Sequence, residues 1–125
     1  MHEATTAVGW AGNRTLTIDR PQDAGGMDLG YNGGELLFLA IGACYTNDIF
    51  REASRHNIMV SEVEVEVSGS FGGPGDPARD VTYRVRIDGD APRSALEALV
   101  RATDRVAEIH NTLRRGCAVT LAEIS

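Results

Sequence analysis

The chain has 125 residues, 42% of them hydrophobic and 24% charged, a balance that fits one globular domain over residues 1–125 and excludes a disordered chain. Eighteen acidic residues against 12 basic ones leave a net charge of −6, which argues against a nucleic-acid or anionic-membrane surface, since both need clustered positive charge. Every basic residue is an arginine, so chemistry through a lysine Schiff base is excluded.

Residues 7–11 and 15–18 read as two short strands joined at Gly12-Asn13, a pair suited to a hairpin turn. Residues 20–34 hold five glycines and one proline. Loops of that length inside a small domain are mobile or functional, which marks this one as a candidate lid or site wall.

A first helix is expected over residues 35–56. Its first half, residues 36–44, is apolar on every face, and a helix of that kind is buried on all sides. A chain this short has little protein with which to surround one, so a second subunit is expected to help cover it. Past Cys44 the pattern turns amphipathic, with Ile49 and Phe50 against Asn47, Asp48, Arg51, Glu52 and Arg55, and Asn57 is the expected stop. The apolar run is about half of what a membrane span needs. No basic, then apolar, opening suggests a signal peptide, so a cytoplasmic protein without a membrane partner is expected.

Residues 59–67 alternate, with Val63, Val65 and Val67 on one face and Glu62, Glu64 and Glu66 on the other, as in a half-buried strand. Residues 81–87 repeat the signal, with Arg84 and Arg86 on the polar side. Paired antiparallel, the glutamate row meets the arginines across the solvent face. The connection, residues 68–80, reads as an exposed flap. Pro92 suits the first turn of a second helix, which helical spacing carries to about residue 109. Gly116 breaks it, and residues 117–124 read as a final strand with Cys117, Val119 and Leu121 on one face. The order is β-β-α-β-β-α-β, an α+β domain.

Candidate chemistry centres on Cys44, at the end of the apolar run where polar residues begin. A free thiol titrates near 8.5, so only a few per cent is thiolate at neutral pH, and a reactive one needs a cation, a helix N-terminus or a base. Its helical neighbours include Asn47 and Asp48, with Arg51 two turns on, roughly on the same face. By composition alone a small buried core cysteine is favoured. Cys117, beside Val119 and Leu121, reads as core. His2 lies in the terminus, His56 closes a helix, and His110 reads as a hydrogen-bonded core histidine. With no CxxC and no His-x3-His spacing, neither a metal nor a cofactor is expected. Glu35 opens the first helix, where a carboxylate favours the dipole; in an unbroken helix it faces away from Cys44.

The run Asn32-Gly33-Gly34-Glu35-Leu36-Leu37-Phe38-Leu39-Ala40-Ile41-Gly42-Ala43-Cys44 resembles the helix signature of the OsmC/Ohr family, the osmotically inducible and organic hydroperoxide resistance proteins. There a P-x-E-L-L-x-x-A-L-x-x-C type run follows a Gly-rich loop. The Val/Glu strand at residues 63–67 and the Asn111-Thr112-Leu113 tail are similar too. The resemblance implies an intertwined homodimer with two long central helices flanked by antiparallel sheets. It also implies thiol-dependent reduction of organic hydroperoxides, in which a thiolate is oxidised to a sulfenic acid and a second cysteine resolves it. The attacking cysteine matches Cys44. The acidic position of the peroxidases falls at Gly34, with Glu35 next to it, and we take Cys44 and Glu35 as the candidate catalytic pair. The signature's proline is Gly33, and the second-cysteine position is Ala107, so Cys117 is not its equivalent. One-cysteine turnover with an external thiol fits this pattern. Two other readings stand beside it: a non-catalytic dimer binding an apolar small molecule at the subunit interface, and a hot-dog-type thioesterase, against which the second long helix speaks.

Overall fold

The computed structural model describes residues 5–125. Strands β1 (Ala7–Ala11) and β2 (Arg14–Ile18) form an antiparallel hairpin with Ala11 opposite Arg14. Gly12 supplies the left-handed turn at φ 61°. The glycine-rich segment after β2 is a fastened strap rather than a free lid. After a 3₁₀ turn at Gln22–Ala24, the Tyr31 N–H donates to the Thr17 carbonyl at 3.2 Å, and the Asp19 N–H to the Tyr31 carbonyl at 3.0 Å. Gly30 makes that return possible, because a Cβ there would stand 2.2 Å from the Thr17 carbonyl oxygen.

Helix α1 (Gly33–Arg55) begins two residues before the expected start. A capping box sets the boundary: Asn32 Oδ1 accepts from the Glu35 N–H at 2.8 Å, and Glu35 Oε1 accepts from the Asn32 N–H at 2.9 Å. The helix ends at His56, whose Nδ1 lies 2.8 Å from the Glu52 carbonyl, and Asn57 at φ 54° turns the chain away.

Strands β3 (Val60–Phe71) and β4 (Ala78–Gly89) pair antiparallel, with Val63 opposite Ile87, Glu64 opposite Arg86 and Glu66 opposite Arg84. Arg86 Nη2 reaches Glu64 at 2.8 Å and Glu62 at 3.3 Å, the cross-strand charge pairing that the alternation implies. Both strands outrun the apolar alternation, since backbone pairing carries the ladder through Ser68 and Ser70 without needing an apolar face, and the connecting flap shrinks to residues 72–77. α1 lies across this hairpin. Tyr45, Ile49 and Ala53 of α1 form the core with Ile87 of β4, Leu96 and Leu99 of the next helix, and Ala107.

Two expectations are corrected at the C-terminal end. The single second helix is two: α2 (Arg93–Val106) and α3 (Glu108–Arg115), separated by Ala107 in an extended conformation. The carbonyls freed at the end of α2 find side-chain donors from α3: Asn111 Nδ2 donates to the Arg105 carbonyl at 3.0 Å, and Arg114 Nη1 to the Asp104 carbonyl at 3.1 Å. The final strand is absent. Residues 117–124 carry the right alternation, but among the described residues no strand pairs with them, and Val119 and Leu121 are 96% and 77% exposed. Cys117 is exposed with them and is not core. Two antiparallel hairpins and three helices make an α+β fold in the order β-β-α-β-β-α-α. Among the described residues no helix is long and apolar enough to cross a membrane.

Candidate functional site

The spacing of α1 puts Cys44, Asp48 and Arg51 on one face of the helix, and the break at Ala107 brings the start of α3 against that face. Cys44 Sγ lies 3.6 Å from Asp48 Oδ2 and 3.6 Å from Glu108 Oε1. The other oxygen of each carboxylate meets the same guanidinium nitrogen: Arg51 Nη1 is 3.3 Å from Asp48 Oδ1 and 3.2 Å from Glu108 Oε2. Arg51 Nε also holds Glu52 at 3.1 Å. Asp48 is buried, Cys44 is half-buried, and Glu108 is exposed.

The electrostatics follow from this arrangement. Burial pushes the Cys44 thiol up, and the charge of Asp48 pushes the same way. The backbone N–H groups of Ile109 and Glu108, at the start of α3, pull it down. Asp48 is pushed up by its burial and then by sharing a hydrogen bond with Glu108. Glu108 is held down at about 2 by the hydrogen bond from Asp48, by its own backbone N–H and by Arg51. The chain as it stands therefore keeps sulfur protonated beside a carboxyl pair whose compensating charge is Arg51.

Cys44, Asp48 and Glu108 also offer three donor atoms within 4.8 Å of one another, a spacing a divalent cation could bridge. The motifs expected for metals did not include such a set, and here Arg51 already lies between the two carboxylates.

Glu35 is not brought to Cys44 within the chain. Its carboxylate is engaged in the helix cap, nine residues earlier on an unbroken helix, which is about 13 Å along the axis. Position 34 has no room for a side chain as the chain is packed: a Cβ would fall 2.6 Å from the Phe71 ring, which stacks on Phe38 at 5.8 Å. Ala107 is fully buried and immediately precedes the helix start that faces the sulfur. Sequence spacing could find Asp48 and Arg51. It could not find Glu108, which is 64 residues from Cys44 and owes its place to the unforeseen break between α2 and α3.

His2 lies outside the described residues. His110 is buried as expected but lacks the expected hydrogen bonds: neither ring nitrogen has a partner. Its ring meets Tyr83 edge-on at 4.7 Å and Tyr45 at 5.7 Å, and burial lowers its pKa, keeping it neutral. It borders a cleft of about 600 Å³ between α1, β4 and α3, lined by Leu37, Ile41, Val81 and Leu113, with Arg79 among the polar residues.

Residues 25–122 match a protein family described as OsmC-like protein. Among solved structures, the chain is similar to an OsmC-like protein from Mycoplasma pneumoniae, with 18% identity and a TM-score of 0.77, covering 87% of this chain and 79% of that one. It is similar to an OsmC-like protein of unknown function from Vibrio cholerae, with 12% identity and a TM-score of 0.71, covering 89% and 80%. A third, an organic hydroperoxide resistance protein OsmC from Legionella pneumophila, has 21% identity and a TM-score of 0.58, covering 88% and 89%. At these identities the likeness establishes the fold. No curated protein sequence matches the chain.

Proposed function

Because the chain belongs to the OsmC-like protein family, we propose that it reduces organic hydroperoxides, with Cys44 as the attacking sulfur and an external thiol as the reductant. The observation that carries this reading is the position of Cys44 Sγ, half-buried against the first turn of α3, where two backbone N–H groups offset part of the upward push that burial and Asp48 give the thiol. The sulfur attacks the terminal oxygen of the hydroperoxide, the O–O bond breaks, and a sulfenic acid and an alcohol form. With Ala107 at the second-cysteine position, the sulfenic acid condenses with an external thiol, releasing water, and a second thiol restores Cys44. Cys117, exposed in the unpaired tail, takes no part in this cycle. Glu35 serves it by fixing the start of α1.

We further propose a cytoplasmic homodimer. The exposed apolar residues of β1, α1 and the tail, with Trp10 76% exposed, are the surface a second copy would cover. A second reading, a binding protein for an apolar small molecule, is favoured by the cleft beside His110 and by a thiol pushed up rather than down.

The test is intact-mass analysis of protein treated with cumene hydroperoxide and a sulfenic-acid trap, in wild type, Cys44→Ser and Cys117→Ser. Trapping abolished by Cys44→Ser alone is the expected result. A Cys44–Cys117 disulfide would make Cys117 the resolving thiol. No oxidation of wild type at millimolar peroxide would leave the binding reading.

A further inference from the structure

Cys44 Sγ stands 3.6 Å from one oxygen of each of two carboxylates, Asp48 and Glu108, and each carboxylate has its second oxygen on Arg51 Nη1. We propose that Asp48 and Glu108 are catalytic residues acting as a pair, which takes the thiol proton as sulfur attacks and passes it to the departing alkoxide. This rests on the peroxide-reducing reading above.

The chemistry of the step requires such a group. Sulfur loses two electrons as its bond to the terminal hydroperoxide oxygen forms, and the electrons of the broken O–O bond go to the alkoxide, a strong base that needs a proton to leave. The thiol must lose a proton at the same time. A group touching the sulfur can do both, so that thiol and hydroperoxide become sulfenic acid and alcohol with no proton gained or lost.

Geometry singles out this pair. Among the described residues, the side chains within hydrogen-bond distance of Sγ are Asp48 on α1 and Glu108 on α3. The other charged group facing them is Arg51, which cannot give up its proton near neutrality and so acts as fixed charge. Its Nη1 bridges one oxygen of each carboxylate, at 3.3 and 3.2 Å, and leaves the other oxygen of each facing the sulfur. Burial raises Asp48, while the hydrogen bond from Asp48, then its own backbone N–H and Arg51, hold Glu108 down, so the two carboxyls share a proton.

The experiment compares two reactions of Cys44 in a Cys117→Ser background, for the parent, Asp48→Asn, Glu108→Gln and the double variant. Iodoacetamide needs only a thiolate, since its iodide leaves without a proton. Cumene hydroperoxide needs the alkoxide protonated as well. Both rates are read by intact mass from about pH 5 to about pH 9, with circular dichroism as the check on folding. In the double variant the iodoacetamide rate at neutral pH is expected to hold or rise, because the negative charge that the pair holds beside sulfur is gone, while the hydroperoxide rate falls roughly 10²-fold. Glu108→Gln, at an exposed position, carries the same test alone if Asp48→Asn does not fold. Rates that move together, or a hydroperoxide rate that does not change, would overturn the proposal. A parent that reacts with iodoacetamide but not with hydroperoxide would instead remove the peroxide-reducing reading on which it rests.

Discussion

Asp19 gathers four hydrogen bonds onto one buried carboxylate: Thr5 Oγ1 at 2.6 Å, Thr6 Oγ1 at 2.9 Å, the Arg20 N–H at 2.8 Å and the Leu29 N–H at 3.3 Å. These donors, Thr5 foremost, lower its pKa from 3.8 to about 2. A carboxylate depressed in the folded chain adds stability that is complete above its unfolded value and is lost as pH falls through its folded value. Wild type should therefore lose thermal stability between about pH 4 and about pH 2, and Asp19→Asn should be less stable at neutral pH with a shallower loss over that interval. Melting temperature followed against pH checks this, and parallel curves would show that Asp19 is not the group responsible. At this scale the sequence was most informative where chemistry is local. Cys44 stands out by its place between apolar and polar halves of a helix, and Asp48 and Arg51 follow from helical spacing. Asp19 carried no signal, because its donors come from three separate stretches of chain that only the return of the strap brings together.

Among the elements, those whose pattern is set within one strand or turn were legible, and those that need a distant partner were not. The β3–β4 hairpin was readable because Val63, Val65 and Val67 alternate with glutamates that find Arg86 across the ladder. The start of α1 moved by two residues because a capping box, not apolar spacing, sets it. Asn32→Ala removes that cap and should cost about 1 kcal/mol, a fall of several degrees in melting temperature for a domain of this size. Asn32→Ser should restore most of the loss, whereas no change on Asn32→Ala would mean the boundary is held by packing alone. Nothing marks the interruption at Ala107, since alanine is the best helix former. Its cause is tertiary: the side chains of Asn111 and Arg114 satisfy the end of α2, and Ala107 is buried in the core.

For the whole molecule, the unpaired tail and the half-covered α1 have one physical explanation under the proposed dimer. The apolar first half of α1 has Ile41 buried but Leu39 49% exposed, and among the described residues the alternating tail pairs with no strand of its own chain. Sedimentation velocity should therefore give a particle of twice 13.4 kDa at micromolar concentration, and removing residues 117–125 should weaken it. A stable species at 13.4 kDa would count against the dimer. The α+β class was readable from the order of periodicities; the missing strand was not, because a strand exists only with its neighbour.

The interruption at residue 107 also gives the molecule a joint beside its sulfur. α3 is eight residues long, too short to persist as a helix on its own, and among its ties to α2 are the side chains of Asn111 and Arg114. If those ties loosen, the two amides and the Glu108 carboxylate withdraw from Cys44 in the same motion. Under the proposed chemistry the reactivity of the sulfur is therefore expected to follow the opening of α3, and amide hydrogen exchange over residues 108–115 should run in step with it.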